Sequence, residues 1–409
     1  MKKVFGVTLG ILTAMGGFVD IGDLVANTAT GARYGMSLAW AVVLGVVGII
    51  VFAEMAGRVA SVTKRAVFDL VRERLGARAG LVNLGASFFI TMLTLIAEVA
   101  GVALSFQLVS DVNYLLFIPL VGFAVWLIIW RVKFSTLETV FGLMGLAMIV
   151  VIVAVVQLHP SWSSLWHHAS HPSVPSGEGH PTYFYYAIAL FGAAMTPYEV
   201  FFFSSGAVEE HWTRQDLATN RANVVVGFPL GGLLSLSIMV TAALVFAPLD
   251  ISVEQLSQVV LPVSAELGKV GLAFAILGVF AATFGAALET ALSSGYTVAQ
   301  YFGWQWGKYV RPRQAARFHL VVLVSVIGAA LWGITSVDPV KVTEYSIVLS
   351  AAALPLTYFP ILVIANDPAY MGEDTNGRLL NTVATIYLVI LVVIALATIP
   401  LMIITKAGQ

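Results

Sequence analysis

Long apolar runs recur along the whole chain, and short polar segments separate them. An α-helix needs about 20 apolar residues to cross the hydrocarbon core of a bilayer, so this pattern predicts an all-α protein with many membrane spans. We place eleven spans at residues 4–30, 37–59, 80–108, 113–131, 137–158, 182–211, 222–248, 264–303, 315–336, 342–365 and 379–405.

The composition agrees with a membrane protein, since 59% of the residues are hydrophobic and 11% are charged. Soluble domains carry about 25% charged residues. The net charge of −1 gives no sign of a nucleic-acid partner, and the absence of cysteine excludes disulfides, thiolate metal ligands and cysteine nucleophiles. The solvent that matters for this chain is therefore lipid.

The basic residues predict the orientation in the membrane. With the N-terminus inside, seventeen of the 21 Lys and Arg residues fall on the cytoplasmic side, and four fall outside: Arg33, Lys269, Lys341 and Lys406. Cytoplasmic loops carry an excess of Lys and Arg. We therefore expect a multi-pass protein of a prokaryotic cell (inner) membrane, with a cytoplasmic N-terminus and an external C-terminus.

Several acidic residues fall inside the predicted spans. A carboxylate near the bilayer centre costs about 2.5–3.5 kcal/mol on insertion scales, so each one is a candidate functional group. Cations from outside the chain are natural partners for most of them, because few have a basic neighbour. The intramembrane acids are Asp20, Asp23, Glu54, Glu98, Glu138, Glu199, Glu289 and Glu344.

Acidic residues lie at two predicted helix breaks. Glycines at positions 16, 17 and 22 flank Asp20 and Asp23 in the first span, and Pro197 precedes Glu199 in the sixth. Glycine lowers the cost of unwinding, and proline deletes a helical hydrogen bond. We expect the two aspartates to form an unwound, negatively charged cation site.

Broken spans at matching positions of two halves indicate an inverted-repeat transporter with its site near the bilayer midplane. Five spans precede the second break. We therefore predict one repeat at 4–158, a second and inverted repeat at 182–365, and an additional helix at 379–405, all within one transmembrane domain.

Four stretches resemble the NRAMP family of divalent-metal transporters, which has the inverted-repeat fold of the amino-acid transporter LeuT. DIGDLVANTATGARYG (20–35) resembles the family's Asp-Pro-Gly-Asn motif, and MTPYE (195–199) resembles its Met-Pro-His motif. LIAEVAG (95–101) and SSGYTVAQYF (293–302) are similar to family segments in spans three and eight. The resemblance implies two inverted five-helix repeats plus an eleventh helix, with spans one and six broken.

The resemblance also implies a metal site. Asp20 matches the family's metal-binding aspartate, and Asp23 replaces its metal-binding asparagine. Ala193 stands where a backbone carbonyl binds the ion, and Thr196 replaces the methionine whose sulfur touches it. In the tenth span no residue matches the family's ligating glutamine.

The residues of the family's proton route are altered in this chain. Tyr198 replaces the histidine linked to proton release, and Phe203 replaces a second histidine. In span three Leu95 replaces an aspartate, whereas the glutamate is retained as Glu98. These changes resemble the prokaryotic NRAMP-related magnesium transporters and imply transport without proton coupling.

Coordination chemistry favours the same ion. A thioether is a soft ligand, whereas Thr196 offers a hydroxyl oxygen. Mg²⁺ takes oxygen ligands, keeps several waters and binds through one or two carboxylates. We therefore predict import of partly hydrated Mg²⁺ by alternating access, with no resident cofactor.

The other acids have weaker functional or structural explanations. Glu199 and Glu98, like Tyr198, are secondary candidates that either face the ion or hydrogen-bond within the scaffold. Glu54 lies one helical turn before Arg58, which predicts an i,i+4 ion pair. At a helix start, the carboxylate of Glu138 suits the helix dipole.

Two polar segments stand out. Segment 60–79 is basic and amphipathic, which predicts a short helix on the cytoplasmic surface. Segment 159–181 is external in this topology and holds five of the seven histidines. A metal-gathering role and a plain polar loop both fit its composition.

Other functions stay open as alternatives. The nearest is a proton-coupled Mn²⁺ or Fe²⁺ transporter of the same fold, against which the missing methionine and histidine argue. In an amino-acid carrier, two fixed aspartates would repel the substrate carboxylate. A cation channel would use rings of charge from an oligomer, whereas we expect a monomer. An enzyme is not expected, because no nucleophile–base pair or HExxH pattern occurs.

Overall fold

The computed structural model describes residues 11, 15, 17–132, 134–175, 177–253, 255–308, 310–335 and 338–408, and of residues 134, 135, 137 and 138 it describes the backbone alone. Every regular element within these residues is a helix, which confirms the predicted all-α class. The first half of the predicted first span, residues 4–16, lies almost entirely outside the described residues.

The first helix of the first half with described bounds follows the break in span one. The helices of this half are α1 (Ile21–Tyr34), α2 (Ala39–Thr63), α3 (Val67–Leu75), α4 (Ala77–Ser110), α5 (Ile118–Arg131), α6 (Phe134–Gly145), α7 (Ile149–Gln157) and α8 (Trp162–Ser170). A 3₁₀ turn, Leu146–Met148, joins α6 to α7 within the fifth span.

The second half begins with the two pieces of the sixth span. Its helices are α9 (His180–Ala194), α10 (Pro197–Glu209), α11 (Leu217–Ala222), α12 (Phe228–Val245), α13 (Leu261–Phe302), α14 (Ala316–Gly333), α15 (Pro339–Ala365), α16 (Pro368–Met371) and α17 (Arg378–Ile404). A π-helical turn, Asn223–Gly227, joins α11 to α12.

Ten helical segments in the described part of the chain are long and apolar enough to cross a membrane. Helix α1 supplies the described part of one more span, so the count agrees with the eleven predicted. The predicted boundaries differ by a few residues in most spans. Spans seven and eight differ most, because each begins with short helical turns, so that they cover Arg214–Leu249 and Leu256–Phe302.

Spans one, three, six, eight and ten contact one another in the centre of the bundle. Two glycines let backbones approach closely there. A Cβ at Gly31 of α1 would collide with the carbonyl of Met239 in α12, and a Cβ at Gly192 of α9 would collide with the carbonyl of Ile347 in α15. One piece of each broken span is therefore held closely against a continuous helix.

The predicted amphipathic helix is present as α3, but its apolar face contacts protein. Phe68 is fully buried, and its ring lies 4.9 Å from that of Phe201 in α10. The N–H of Val67 donates to Oγ of Ser204 at 2.9 Å. The predicted short amphipathic helix is therefore present, and α10 and its neighbours bury its apolar face. Its place on the cytoplasmic surface stays a prediction.

The predicted ion pair between Glu54 and Arg58 is present, with 3.2 Å between Oε1 and Nε. The same guanidinium donates to the carbonyl of Asp374 and to Oδ1 of Asn376, both at 2.5 Å. Glu54 therefore has a structural role that ties α2 to the segment before α17. The side chain of Glu138 lies outside the described residues.

Candidate metal site

The first span is interrupted at Val19 and Asp20, where the backbone is not helical. Asp20 is the N-cap of α1, and its Oδ1 accepts the N–H of Asp23 at 2.8 Å. The N–H of Ile21 donates to Oε1 of Glu98 in α4 at 3.0 Å. Carboxylates thus satisfy two of the amide donors that a helix start leaves open.

The sixth span is interrupted at Met195 and Thr196, which confirms the predicted break. Pro197 has no N–H and cannot donate to the carbonyl of Ala193, four residues earlier. Thr196 is the N-cap of α10, and its hydroxyl donates to Oε2 of Glu199 at 3.4 Å instead of capping the helix. This break therefore presents neutral oxygen atoms.

The two breaks meet at Asp20. The Tyr198 hydroxyl of α10 donates to Oδ2 of Asp20 at 3.2 Å. Asp20 and Thr196 are 1% and 3% exposed and line one small, closely packed cavity that is too narrow to hold a water molecule. Its other lining residues are Ile21, Gly22, Thr94, Ala97, Thr343, Ser346, Ile347 and Ser350.

Asp23 does not line this cavity. It lies in the first turn of α1, where its carboxylate accepts hydrogen bonds from Nδ2 of Asn27, at 2.8 Å, and from Oγ of Ser235 in α12. The expectation that both aspartates sit on unwound chain is therefore wrong for Asp23. Helical geometry resumes at Ile21 and turns the later side chain toward span seven.

Three further carboxylates lie beside the breaks. Glu98 and Glu199 are 0% and 5% exposed, and Oε2 of Glu98 and Oε1 of Glu199 are buried without a hydrogen-bond partner. Glu289 of α13 faces span one, since a Cβ at Gly17 would come within 2.9 Å of its Oε2. None of the residues that line the cavity is basic, so the region is electronegative.

The one thioether next to Thr196 in sequence points elsewhere. The sulfur of Met195 lies against α2, where a Cβ at Gly48 would come within 2.5 Å of it. The Met195 carbonyl accepts the hydroxyl of Tyr358 at 3.2 Å. Met195 therefore packs away from the cavity, and no sulfur atom belongs to the residues that line it.

Sequence reasoning missed the hydroxyls of the tenth span. Thr343, Ser346 and Ser350 of α15 all line the cavity. Oγ of Ser346 is hydrogen-bonded to Oγ1 of Thr94 at 3.0 Å, and Oγ of Ser350 is buried without a partner. The sequence did contain an indication of these hydroxyls, because positions 343, 346 and 350 follow helical spacing in the tenth span.

Among the described residues, no group of three or more His, Cys, Asp or Glu side chains could hold a metal ion. An ion beside Asp20 therefore needs oxygen atoms of other kinds. The Thr196 hydroxyl lines the cavity, whereas Ala193 is not among the lining residues and its carbonyl stays a predicted ligand. These oxygen atoms and water suit a hard divalent cation.

A wide vestibule of about 890 Å³ lies on the side predicted to be external. The first turns of α15 line this vestibule, and Ile347 and Ser350 further along the helix line the Asp20 cavity. The Ile347 side chain packs against Gly22 of α1, and its carbonyl packs against Gly192 of α9. Ile347 thus lines the cavity, lies one helical turn from Glu344 of the vestibule and contacts both broken spans.

Similarity to known proteins extends over most of the chain. A family model described as "Natural resistance-associated macrophage protein-like" matches residues 10–400. The "Divalent metal cation transporter MntH" of Erwinia tasmaniensis is 26% identical over 393 residues, which cover 93% of this chain and 90% of the relative.

Two solved structures share the fold. A variant of the Eremococcus coleocola manganese transporter matches with a TM-score of 0.72 and 19% identity, over 98% of this chain and 87% of its own. A Na⁺-coupled sialic acid symporter matches with a TM-score of 0.63 and 12% identity, over 95% and 89%. These likenesses confirm the predicted LeuT-like fold with its broken spans.

Proposed function

Because this chain belongs to the NRAMP family of divalent metal transporters, we propose that it moves its cation by alternating access through a site at Asp20. The observation that carries this proposal is the meeting of the two breaks, where a buried carboxylate shares a cavity with Thr196. A buried charge needs a compensating partner, and a bound cation supplies one.

The ion is held, in this proposal, by Oδ2 of Asp20, the hydroxyl of Thr196 and the carbonyl of Ala193. Tyr198 donates to the same Oδ2 and releases it when the ion arrives. Ser350 offers a hydroxyl to a retained water. Asp23 joins the site only if it gives up its bonds to Ser235 and Asn27, so its contribution is mainly its charge.

Mn²⁺ is the cargo that the relatives favour. The Eremococcus coleocola protein is named a manganese transporter, and the Erwinia tasmaniensis relative is named a transporter of divalent metal cations. These names support the alternative considered from the sequence better than they support Mg²⁺. Mn²⁺ also accepts carboxylate, carbonyl and water oxygens, so the donor set at Asp20 can hold it without a sulfur ligand.

Mg²⁺ is the second candidate, and one observation favours it. Thr196 stands in the place of the family's methionine, and the neighbouring Met195 sulfur packs against α2. An all-oxygen site that retains water suits Mg²⁺ and gives up the advantage that a thioether confers on softer ions. The subtype similar to magnesium transporters remains a proposal on this ground.

The cycle alternates between two closures of the same site. The vestibule lies on the predicted external side, and Ile347 of the cavity lies one helical turn from Glu344 of the vestibule. We propose that Ile347 withdraws from Gly22 and Gly192 to admit the ion. The proposal also includes the predicted repeats at 4–158 and 182–365, the inner-membrane location and the cytoplasmic N-terminus.

Uptake into proteoliposomes tests the proposal. Purified protein is reconstituted, and uptake of Mn²⁺, Mg²⁺ and Ca²⁺ is measured at a fixed membrane potential with a pH dye inside. We expect saturable Mn²⁺ uptake, Mg²⁺ uptake if the oxygen site governs selectivity, and no stoichiometric acidification, because Tyr198 and Leu95 replace titrating groups. Absence of uptake for all three ions would reject the transport site, and channel-like currents would reject the carrier mechanism.

A further inference from the structure

Segment 159–181, which is predicted to be external, offers imidazole nitrogens, whereas the residues around Asp20 offer oxygen atoms. We propose that His167 and His171 form a two-imidazole site for a borderline transition-metal ion of the Zn²⁺, Ni²⁺ or Cu²⁺ class. The site lies on α8 and its C-cap, outside the predicted spans, and it does not depend on the transport site proposed above.

The two histidines are spaced to act together. They stand four residues apart, which places them on the same side of a helix. Their ring centroids lie 4.5 Å apart, with an interplanar angle of 15°, and both residues are exposed. The proposal requires the rings to turn about their side-chain torsions until one nitrogen of each reaches a shared ion.

Hydrogen bonds set the tautomer of His171. Its Nδ1 lies 3.2 Å from the carbonyl of His167 and 3.0 Å from Oγ of Ser170. A carbonyl only accepts, and the Ser170 hydroxyl already donates to the carbonyl of Trp166 at 2.7 Å, so Nδ1 carries the hydrogen. The lone pair of Nε2 is then available. Metal-binding histidines commonly have this arrangement, with the second ring nitrogen bonded to a carbonyl.

The helix that carries the pair is anchored at several points. Leu165 on its inner side packs against a cluster of buried apolar residues that includes Leu38 and Tyr183. Beyond the helix, the N–H of Ser173 donates to Oγ of Ser37 at 2.9 Å, and that hydroxyl donates to the Ser173 carbonyl at 2.7 Å. Glu178 then pairs with Arg33 at 2.6 Å. The inner side is thereby fixed, so the histidine pair faces outward.

The ligand set determines the class of ion. Imidazole nitrogen suits Zn²⁺, Cu²⁺ and Ni²⁺, whereas Mg²⁺ and Mn²⁺ prefer oxygen. No third side chain of the described residues completes a protein-only site, so water fills the remaining positions and the site is a weak one. The Irving–Williams order predicts tightest binding for Cu²⁺. The chain therefore carries a nitrogen site outside and an oxygen site within.

Calorimetry on the full-length chain tests this site. The protein is purified in detergent with a histidine-free affinity tag and titrated with ZnCl₂ in a non-chelating buffer. The variants are His171→Ala and the double variant His167→Ala/His171→Ala. His159→Ala, another exposed histidine of the same segment, is the matched control. The chain has no cysteine, so no thiolate competes for the ion.

We expect one Zn²⁺ to bind wild type and His159→Ala alike. His171→Ala should weaken it at least about 10-fold, and the double variant should lose it. Equal Zn²⁺ binding by wild type and the double variant would overturn the proposal, as would no binding by wild type. Unchanged cation uptake by the double variant in proteoliposomes checks that it is folded.

Discussion

The breaks in spans one and six sit beside each other and supply different oxygen atoms. At the break in span one, the carboxylates of Asp20 and of Glu98 from span three accept the backbone N–H groups at the start of α1. Charged groups therefore satisfy these backbone donors. In span six, Pro197 withholds the N–H that would have reached the carbonyl of Ala193. The first break contributes negative charge, and the second contributes neutral acceptors.

Asp20 is the one carboxylate that lines the cavity, where it accepts the Tyr198 hydroxyl and is surrounded by threonine and serine hydroxyls. Glu98, Glu199 and Glu289 lie beside the breaks without lining the cavity. Buried carboxylates are costly without a compensating partner, which a bound cation supplies. The following changes would break or sharpen the comparison.

The largest effect is expected for Asp20→Ala, which removes the charge supplied by the first break. Uptake of the transported ion should fall about 100-fold or more, which corresponds to about 2.7 kcal/mol. Tyr198→Phe is the matched control, because it removes only the hydrogen bond to Oδ2 of Asp20 and should keep uptake within about threefold. Normal uptake by Asp20→Ala at equal expression would move the site elsewhere.

Pro197→Ala tests the second break. Alanine restores an N–H that competes for the carbonyl of Ala193 and favours a continuous helix, which is worth about 3 kcal/mol at an interior position. We expect uptake to fall about 10-fold while thermal stability rises. Pro400→Ala, in the interior of the peripheral helix α17, is the control and should raise stability without changing uptake. An equal loss in both variants would mean that the carbonyl plays no part.

Thr196→Met changes the chemistry of the second break without adding charge. A thioether beside Asp20 should raise the ratio of Mn²⁺ to Mg²⁺ uptake several-fold, because Mn²⁺ tolerates a softer ligand and Mg²⁺ loses an oxygen or a retained water. Thr196→Leu has nearly the same size without sulfur, so it separates softness from bulk. If both variants shift the ratio equally, selectivity rests on space and not on the donor atom.

The span count and both breaks could be predicted from the sequence, because apolar length, glycine and proline act locally. The sequence did not indicate the hydrogen bond between Tyr198 and Asp20, and the metal site at Asp20 stays a prediction. The direction of Asp23 could not be predicted, since it depends on the residue at which helical geometry resumes. The burial of α3 was missed because amphipathic helices on lipid and on protein have the same periodicity.

The hydroxyls of the tenth span were missed for a different reason. Serine and threonine in apolar spans commonly bond to their own helix backbone, so their presence alone indicates no site. Only the packing shows that Ser346 bonds to Thr94 across two spans and that Ser350 faces the cavity with no partner. Such contacts join residues more than 200 positions apart, which no local pattern reveals.

The smallest effect is expected for Asp23→Asn, and it decides whether the first break supplies one charge or two. Both oxygens of Asp23 already accept hydrogen bonds, from Asn27 and from Ser235, and its carboxylate lies outside the cavity. Asparagine keeps an acceptor and removes the charge, so KM for the ion should rise by about threefold or less while the maximal rate is retained. Ser235→Ala is the companion variant, because it frees one oxygen of Asp23 without altering the charge. If Asp23→Asn instead loses uptake as completely as Asp20→Ala, and Ser235→Ala lowers KM, then Asp23 swings into the site when the ion binds. The two breaks would then differ in movement as well as in charge, with α1 turning about Asp20 during the cycle.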